Sequence, residues 1–112
     1  MVEIESVGFG EVKVDGRSYF SDVVVWWDGR VDYRPKSVAI TFDDYTRLLA
    51  RAPEIIVVGG GKSAASRIDE SIVPDCENRD IELFTETSKK AAAIFNAFAA
   101  QGRRAVAVIR TA

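Results

Sequence analysis

The chain has 112 residues, 47% apolar and 29% charged, enough for one hydrophobic core and too few for two, so a single folded domain over 1–112 is expected. Its 15 basic and 17 acidic side chains are mixed along the chain, leaving no basic stripe to neutralise a phosphate backbone, and nucleic acid is not an expected partner. With no histidine and one cysteine, Cys76, the sequence excludes an internal disulfide and a Cys-based zinc cluster and lacks the commonest general base. No catalytic residue, metal or cofactor is assigned. No apolar run exceeds five residues, against the roughly 20 that span a bilayer, and Met1 to Glu5 lacks the features of a secretory signal. A cytoplasmic location without a membrane partner is expected.

In chain order, Asp15-Gly16 and Asp28-Gly29 sit between β-formers and predict the two tight turns of a three-stranded antiparallel meander from Phe9 to Tyr33. Val23 to Trp27 is apolar on both faces and reads as the middle strand, covered on both sides. Because neighbouring side chains in a strand point oppositely, Trp26 and Trp27 are not expected in the same core. They are the candidate interaction residues, against the alternative that the second indole packs under the 33–36 connection or a helix.

Between Lys36 and Arg51 the period becomes helical, with Phe42, Tyr45, Leu48 and Leu49 on one stripe. Thr41 to Asp44 reads as a capping box, so the acids Asp43 and Asp44 complement a helix N-terminus rather than form a catalytic pair, and Pro53 stops the helix. Ile55 to Val58 is a short buried strand that runs into Gly59-Gly60-Gly61-Lys62-Ser63. From Lys62 to Asp80 the signals conflict, with short helical possibilities at 62–67 and 74–79. Ile81 to Phe84 is a strand, and Ser88 to Gln101 a helix with Ala91, Ile94, Phe95 and Phe98 as its apolar stripe. Thr87 or Ser88 caps that helix, Gly102 stops it, and Ala105 to Ile109 is a buried final strand. Two β-α-β steps after a meander predict an α/β fold with helices packed on a central sheet.

The glycine segment is not a Walker A loop, because the glycine required five positions before Gly61-Lys62-Ser63 is Ile56. A dinucleotide fingerprint is disfavoured, since the segment after the glycines is polar and the next acid, Glu86, comes late. The remaining candidate is a generic ligand site beyond the strand ends. Parallel pairing of strands 55–58 and 81–84 would set Gly59, Gly60, Gly61, Lys62 and Ser63 beside Thr85, Glu86, Thr87 and Ser88. Lys62 and Glu86 would then face one pocket, with the N–H groups of Gly60 and Gly61 turned to a small anion. The structural alternative makes the glycines a tight exit from the sheet, Lys62 and Glu86 solvated, and Thr87 or Ser88 a cap. Cys76 reads as a buried or incidental thiol and Asn96 as a structural hydrogen-bonding residue.

Phe9-Gly10, Gly16, Ser21 to Val25, Asp28-Gly29, Ile55 to Gly59, Phe95-Asn96 and Gly102-Arg103-Arg104 together resemble a family of small Mth-type domains. That family includes mitochondrial complex I assembly factor 3 and the adipogenesis-associated Mth domain-containing protein. The resemblance spans nearly the whole chain. It implies a three-layer α/β fold with a mixed central sheet and added N-terminal antiparallel strands, no established reaction, and roles in assembly or interaction. Here three glycines stand where the family usually has Gly-x-Gly, Ser88 stands for a threonine, and Phe95 replaces the tyrosine of a common Tyr-Asn pair. The region 62–79 departs most, so no pocket built from it carries over. The leading expectation is a non-catalytic domain acting through protein contacts, with a protein partner or a second copy of itself. The alternative is a binder of a small anion or metabolite at the glycine loop, with or without a reaction.

Overall fold

The computed structural model describes residues 1–111. Three N-terminal strands, β1 (Ile4–Gly8), β2 (Glu11–Val14) and β3 (Arg17–Tyr19), form an antiparallel sheet in sequence order. The central sheet has five strands, ordered β5 (Val31–Arg34), β4 (Asp22–Trp26), β10 (Ala105–Ile109), β7 (Ile55–Gly59), β9 (Glu82–Glu86). It is mixed, because β10 runs antiparallel to β4 and parallel to β7, which is itself parallel to β9. The helices are α1 (Phe42–Leu49), α2 (Ile72–Asn78) and α3 (Ser88–Ala100). Between them β6 (Ala39–Ile40) and β8 (Arg67–Ile68) make a two-residue parallel ladder.

Strand alternation sorts the core into two layers. Val23, Val25, Ile55, Val57, Ala105, Ala107 and Ile109 share one cluster with Ala91, Ala92 and Phe95 of α3 and with Ile4, Val12 and Val14 of the N-terminal sheet. Trp26, Ile56, Val58, Val106 and Val108 share the other with Tyr45 and Leu48 of α1 and Ile72 and Cys76 of α2. The result is the expected three-layer arrangement with a mixed central sheet. From β7 the chain crosses outward to β9 through α2, then back past β7 to β10 through α3. Reversing direction with one crossover hand requires the two helices to lie on opposite faces, and they do.

The N-terminal strands differ from expectation in one respect. Both Asp-Gly turns form, with φ of +49° at Asp15, +81° at Gly16 and +94° at Gly29. The strands around them are four rather than three and do not make one meander, since β3 pairs only with β2, whereas β4 leaves for the central sheet and pairs with β5 and β10. The reason lies in β4, whose apolar residues on both faces need a layer above and below. A central position supplies both, and the N-terminal sheet, completed by β1, becomes one of the covers. Asn96 fastens that cover to α3: its Oδ1 accepts from the Ile4 N–H (2.8 Å) and its Nδ2 donates to the Ile4 carbonyl (2.9 Å).

The Thr41 capping box forms as read, with Asp44 N–H on the Thr41 hydroxyl (3.1 Å) and Thr41 N–H on the Asp44 carboxylate (3.0 Å). In the ambiguous stretch no helix forms over 62–67: residues 61–64 make a turn and Arg67 already begins β8, while α2 begins two residues before Pro74. Pro74 is tolerated in a first helical turn because its missing N–H has no partner there. No helix among the described residues is long and apolar enough to cross a membrane.

Candidate functional site

The pairing of β7 with β9, with Val58 opposite Thr85 and Gly59 opposite Glu86, brings the glycine segment beside the head of α3 as expected. The two segments close on each other through hydrogen bonds. Gly60 N–H donates to the Glu86 carbonyl (2.9 Å), Ser88 N–H to the Gly61 carbonyl (3.0 Å), and Gly61 N–H to Ser88 Oγ (2.8 Å). Ser88 Oγ in turn donates to the Arg110 carbonyl (2.6 Å), so one buried hydroxyl ties β7, α3 and the end of β10 together.

The glycines are there for close approach. A Cβ on Gly59 would lie 2.8 Å from Ser88 Cα and 3.0 Å from Ala91 Cβ, and a Cβ on Gly60 would lie 2.6 Å from the carbonyl carbon of Ala64. Gly61 has φ +84°, where a side chain is strained. The N–H groups of Gly60 and Gly61 are therefore committed within the chain, and the backbone cradle imagined from the sequence does not form.

A hollow of about 340 Å³ does open at this place. Gly61, Lys62, Thr87 and Ser88 line it, joined by Val7, Gly8 and Phe9 from the β1–β2 hairpin and by Lys89 and Arg110. Gly59 and Gly60 are buried behind it, while Ser63, Thr85 and Glu86 are not part of its wall. Lys62 and Glu86 thus do not share a pocket.

Its electrostatics are one-sided. The three charged residues in the lining, Lys62, Lys89 and Arg110, are all cationic. Among the described residues, neither Lys62 nor Lys89 has a carboxylate within 4.0 Å. Lys89 also sits in the first turn of α3, which holds no acid, so its charge opposes the positive end of the helix dipole. Thr87 caps that helix through its hydroxyl, which accepts from Lys90 N–H (3.3 Å). Arg110 is mostly buried: its guanidinium donates to the Gly60 carbonyl (3.4 Å) and its Nε lies 3.8 Å from Asp22, too long for a hydrogen bond.

Asp22 was not singled out from the sequence, yet it is 1% exposed and holds two cations, Arg110 at 3.8 Å and Arg34 at 3.9 Å. Its other oxygen accepts from the N–H (3.0 Å) and hydroxyl (3.2 Å) of Thr111. Phe9, Lys89 and Arg110 were also missed as site residues. Lys89 left a trace in the sequence, a cation where a helix start favours an acid; the other two reach the hollow only through long-range pairing.

The tryptophans occupy a different place. β4 ends at Trp26 and the chain turns at Trp27, so strand alternation no longer applies, and both indoles fall on the α1 side. They form an edge-to-face pair with centroids 5.8 Å apart, and the Arg51 guanidinium lies 4.7 and 4.8 Å from the two rings. Trp26 is 4% exposed and donates Nε1–H to Asp32 (2.9 Å); Trp27 is half-buried. Arg51 is held in turn by Asp28, whose carboxyl its hydrogen bonds keep below the usual range. Beside this cluster a second hollow, about 410 Å³, opens over Val24, Trp26, Leu48 and Val108. Cys76 is buried on the same side, and burial pushes its thiol up, away from reactivity. No cluster of metal-ligating side chains occurs among the described residues.

Residues 4–110 match the model of a family described as a protein of unknown function, DUF498/DUF598. Among similar solved structures is a conserved hypothetical protein from Pyrococcus horikoshii, 23% identical, with a TM-score of 0.85 over 97% of this chain and 98% of that one. Another is the protein MT938, 26% identical, with a TM-score of 0.80 over 99% and 98%. A Bordetella pertussis protein described as a Mth938-like domain is 18% identical, with a TM-score of 0.76 over 97% and 85%.

Proposed function

The chain belongs to the DUF498/DUF598 family and has Mth938-like domains as structural neighbours, and from that premise we propose that it is a binding domain whose site is the cationic hollow at the head of α3. The observation that carries this reading is the convergence of Lys62, Lys89 and Arg110 on a hollow of about 340 Å³ with no carboxylate side chain in its wall among the described residues. A space of this size lies within the range of small-ligand pockets, and its charge selects an anionic group, phosphate or carboxylate. Binding rather than catalysis is favoured because, among the described residues, the lining contains no histidine, carboxylate or thiol with which to move a proton near neutral pH. The setting belonging to this proposal is cytoplasmic.

The test is a titration of the whole chain with inorganic phosphate, followed by amide chemical shifts. Saturable changes centred on residues 61–62 and 87–89, lost in the Lys62→Gln/Lys89→Gln double variant, are the expected result. Changes scattered over the surface, or unaffected by the double variant, would sink it.

A second reading, action through protein contacts as in the assembly factors that the sequence resembles, is supported by Phe20 and Tyr33, which are 71% and 68% exposed. Light scattering of the chain and of a Phe20→Ser/Tyr33→Ser variant checks whether a second copy is the partner. A monomer in both cases removes self-association from this reading.

A further inference from the structure

The anionic group accounts for only one side of the hollow. Besides the cations, the wall includes Val7, Gly8 and Phe9 of the β1–β2 hairpin. Phe9 is 93% exposed, and unlike Tyr19 with Tyr33 or Phe84 with Phe98, it has no ring packed on it among the described residues. It stands at the hairpin tip between Gly8 and Gly10, the latter with φ +81°, so the turn presents the ring rather than tucking it in. An exposed phenylalanine taken alone needs no explanation. One that lines a cationic hollow offers a π-face beside the charges.

Resting on the anion-binding reading above, we infer that the ligand is a phosphate monoester with a flat aromatic body, of the nucleoside monophosphate kind. Two matches define the class. A phosphate monoester carries about −1.5 to −2 charges at neutral pH and three acceptor oxygens, which suits Lys62, Lys89 and Arg110 better than the single charge of a carboxylate. The hollow, at about 340 Å³, is an order of magnitude larger than the ~30 Å³ share of one water, far more than an inorganic phosphate fills. Phe9 is the one aromatic ring in the wall among the described residues, and a planar ring stacks on it without any hydrogen-bond code. The cations then fix the phosphate and Phe9 holds the body.

Calorimetric titration of the whole chain with adenosine 5′-monophosphate, inorganic phosphate and adenosine tests this, using the natural sequence, Phe9→Ala, and Lys62→Gln/Lys89→Gln. Phe9 is exposed and supports no packing, so its truncation leaves the fold intact, which circular dichroism checks. The nucleotide is expected to bind about ten-fold more tightly than inorganic phosphate, and Phe9→Ala to abolish that difference. The double lysine variant should lose both ligands. Equal affinity for nucleotide and phosphate in the natural chain, or a preference that survives Phe9→Ala, overturns the aromatic-body inference and leaves anion binding standing. Absence of saturable heat from either anion overturns both.

Discussion

The two hollows differ less in size than in how their charges are held. Around the larger one, Arg30 lies 3.0 Å from Asp32, Arg34 3.5 Å and Arg47 3.7 Å from Asp44, and Arg51 is gripped by Asp28. Each of these arginines is answered within the chain, and Arg51 also stacks on two indoles. In the smaller hollow, Lys62 and Lys89 have no such partner among the described residues, and Arg110 shares Asp22 with Arg34. Paired cations are accounted for by the fold; unpaired ones converging on a concavity point to something outside it. For this reason the proposed site is the smaller hollow although the larger has more room.

Asp22 joins the two regions, because its cation partners lie one in each lining. The largest effect is therefore expected from Asp22→Ala, which leaves the mostly buried Arg110 without a carboxylate and Arg34 with Asp44 alone, and should lower stability by about 3–5 kcal/mol in urea unfolding. A loss under about 1 kcal/mol would show that the hollows are independent of it. Next comes Gly59→Val, whose Cβ would meet Ser88 Cα at 2.8 Å and should cost about 1–3 kcal/mol by pushing the head of α3 off the sheet.

Arg51→Met sharpens the contrast from the other side. It removes a guanidinium from two rings and from a half-exposed carboxylate, an effect of about 1 kcal/mol after solvent screening, and should leave phosphate affinity unchanged. The pH profile derives from the same pair. The carboxyl of Asp28 titrates lower in the folded chain than unfolded, because Arg51 hydrogen-bonds its charged form. Its contribution is complete above the ordinary carboxylate pKa of about 4 and is lost as pH falls through the lowered value. Acid unfolding of Arg51→Met should lack this component.

Much of this architecture was legible where the cause is local. The capping box at Thr41, the helix from Ser88 and the strand Ala105–Ile109 depend on period, caps and apolar runs read within a dozen residues. The meeting of 59–63 with 85–88 needed one further step, parallel pairing. The change of sheet between β3 and β4 was not legible, since the Asp-Gly turns fix hairpins and not which sheet each joins. Nor was the completed hollow, whose wall draws on residues 7–9, 61–62, 87–89 and 110. The triple glycine looked like an anion loop because glycine serves both ligand approach and packing; only the distances to Ser88 and Ala64 separate the two.

The smallest change in stability is also the most direct test. Lys89 opposes the α3 dipole with no carboxylate among the described residues to offset it, so Lys89→Glu should raise the unfolding free energy by about 0.3–1 kcal/mol in phosphate-free buffer. In the natural chain, phosphate at about one hundred times its Kd should add about 2.7 kcal/mol, and in Lys89→Glu it should add almost nothing. That pairing, a variant more stable alone but unresponsive to phosphate, is what a cation kept for a ligand predicts. Equal phosphate stabilisation of the two chains would contradict it.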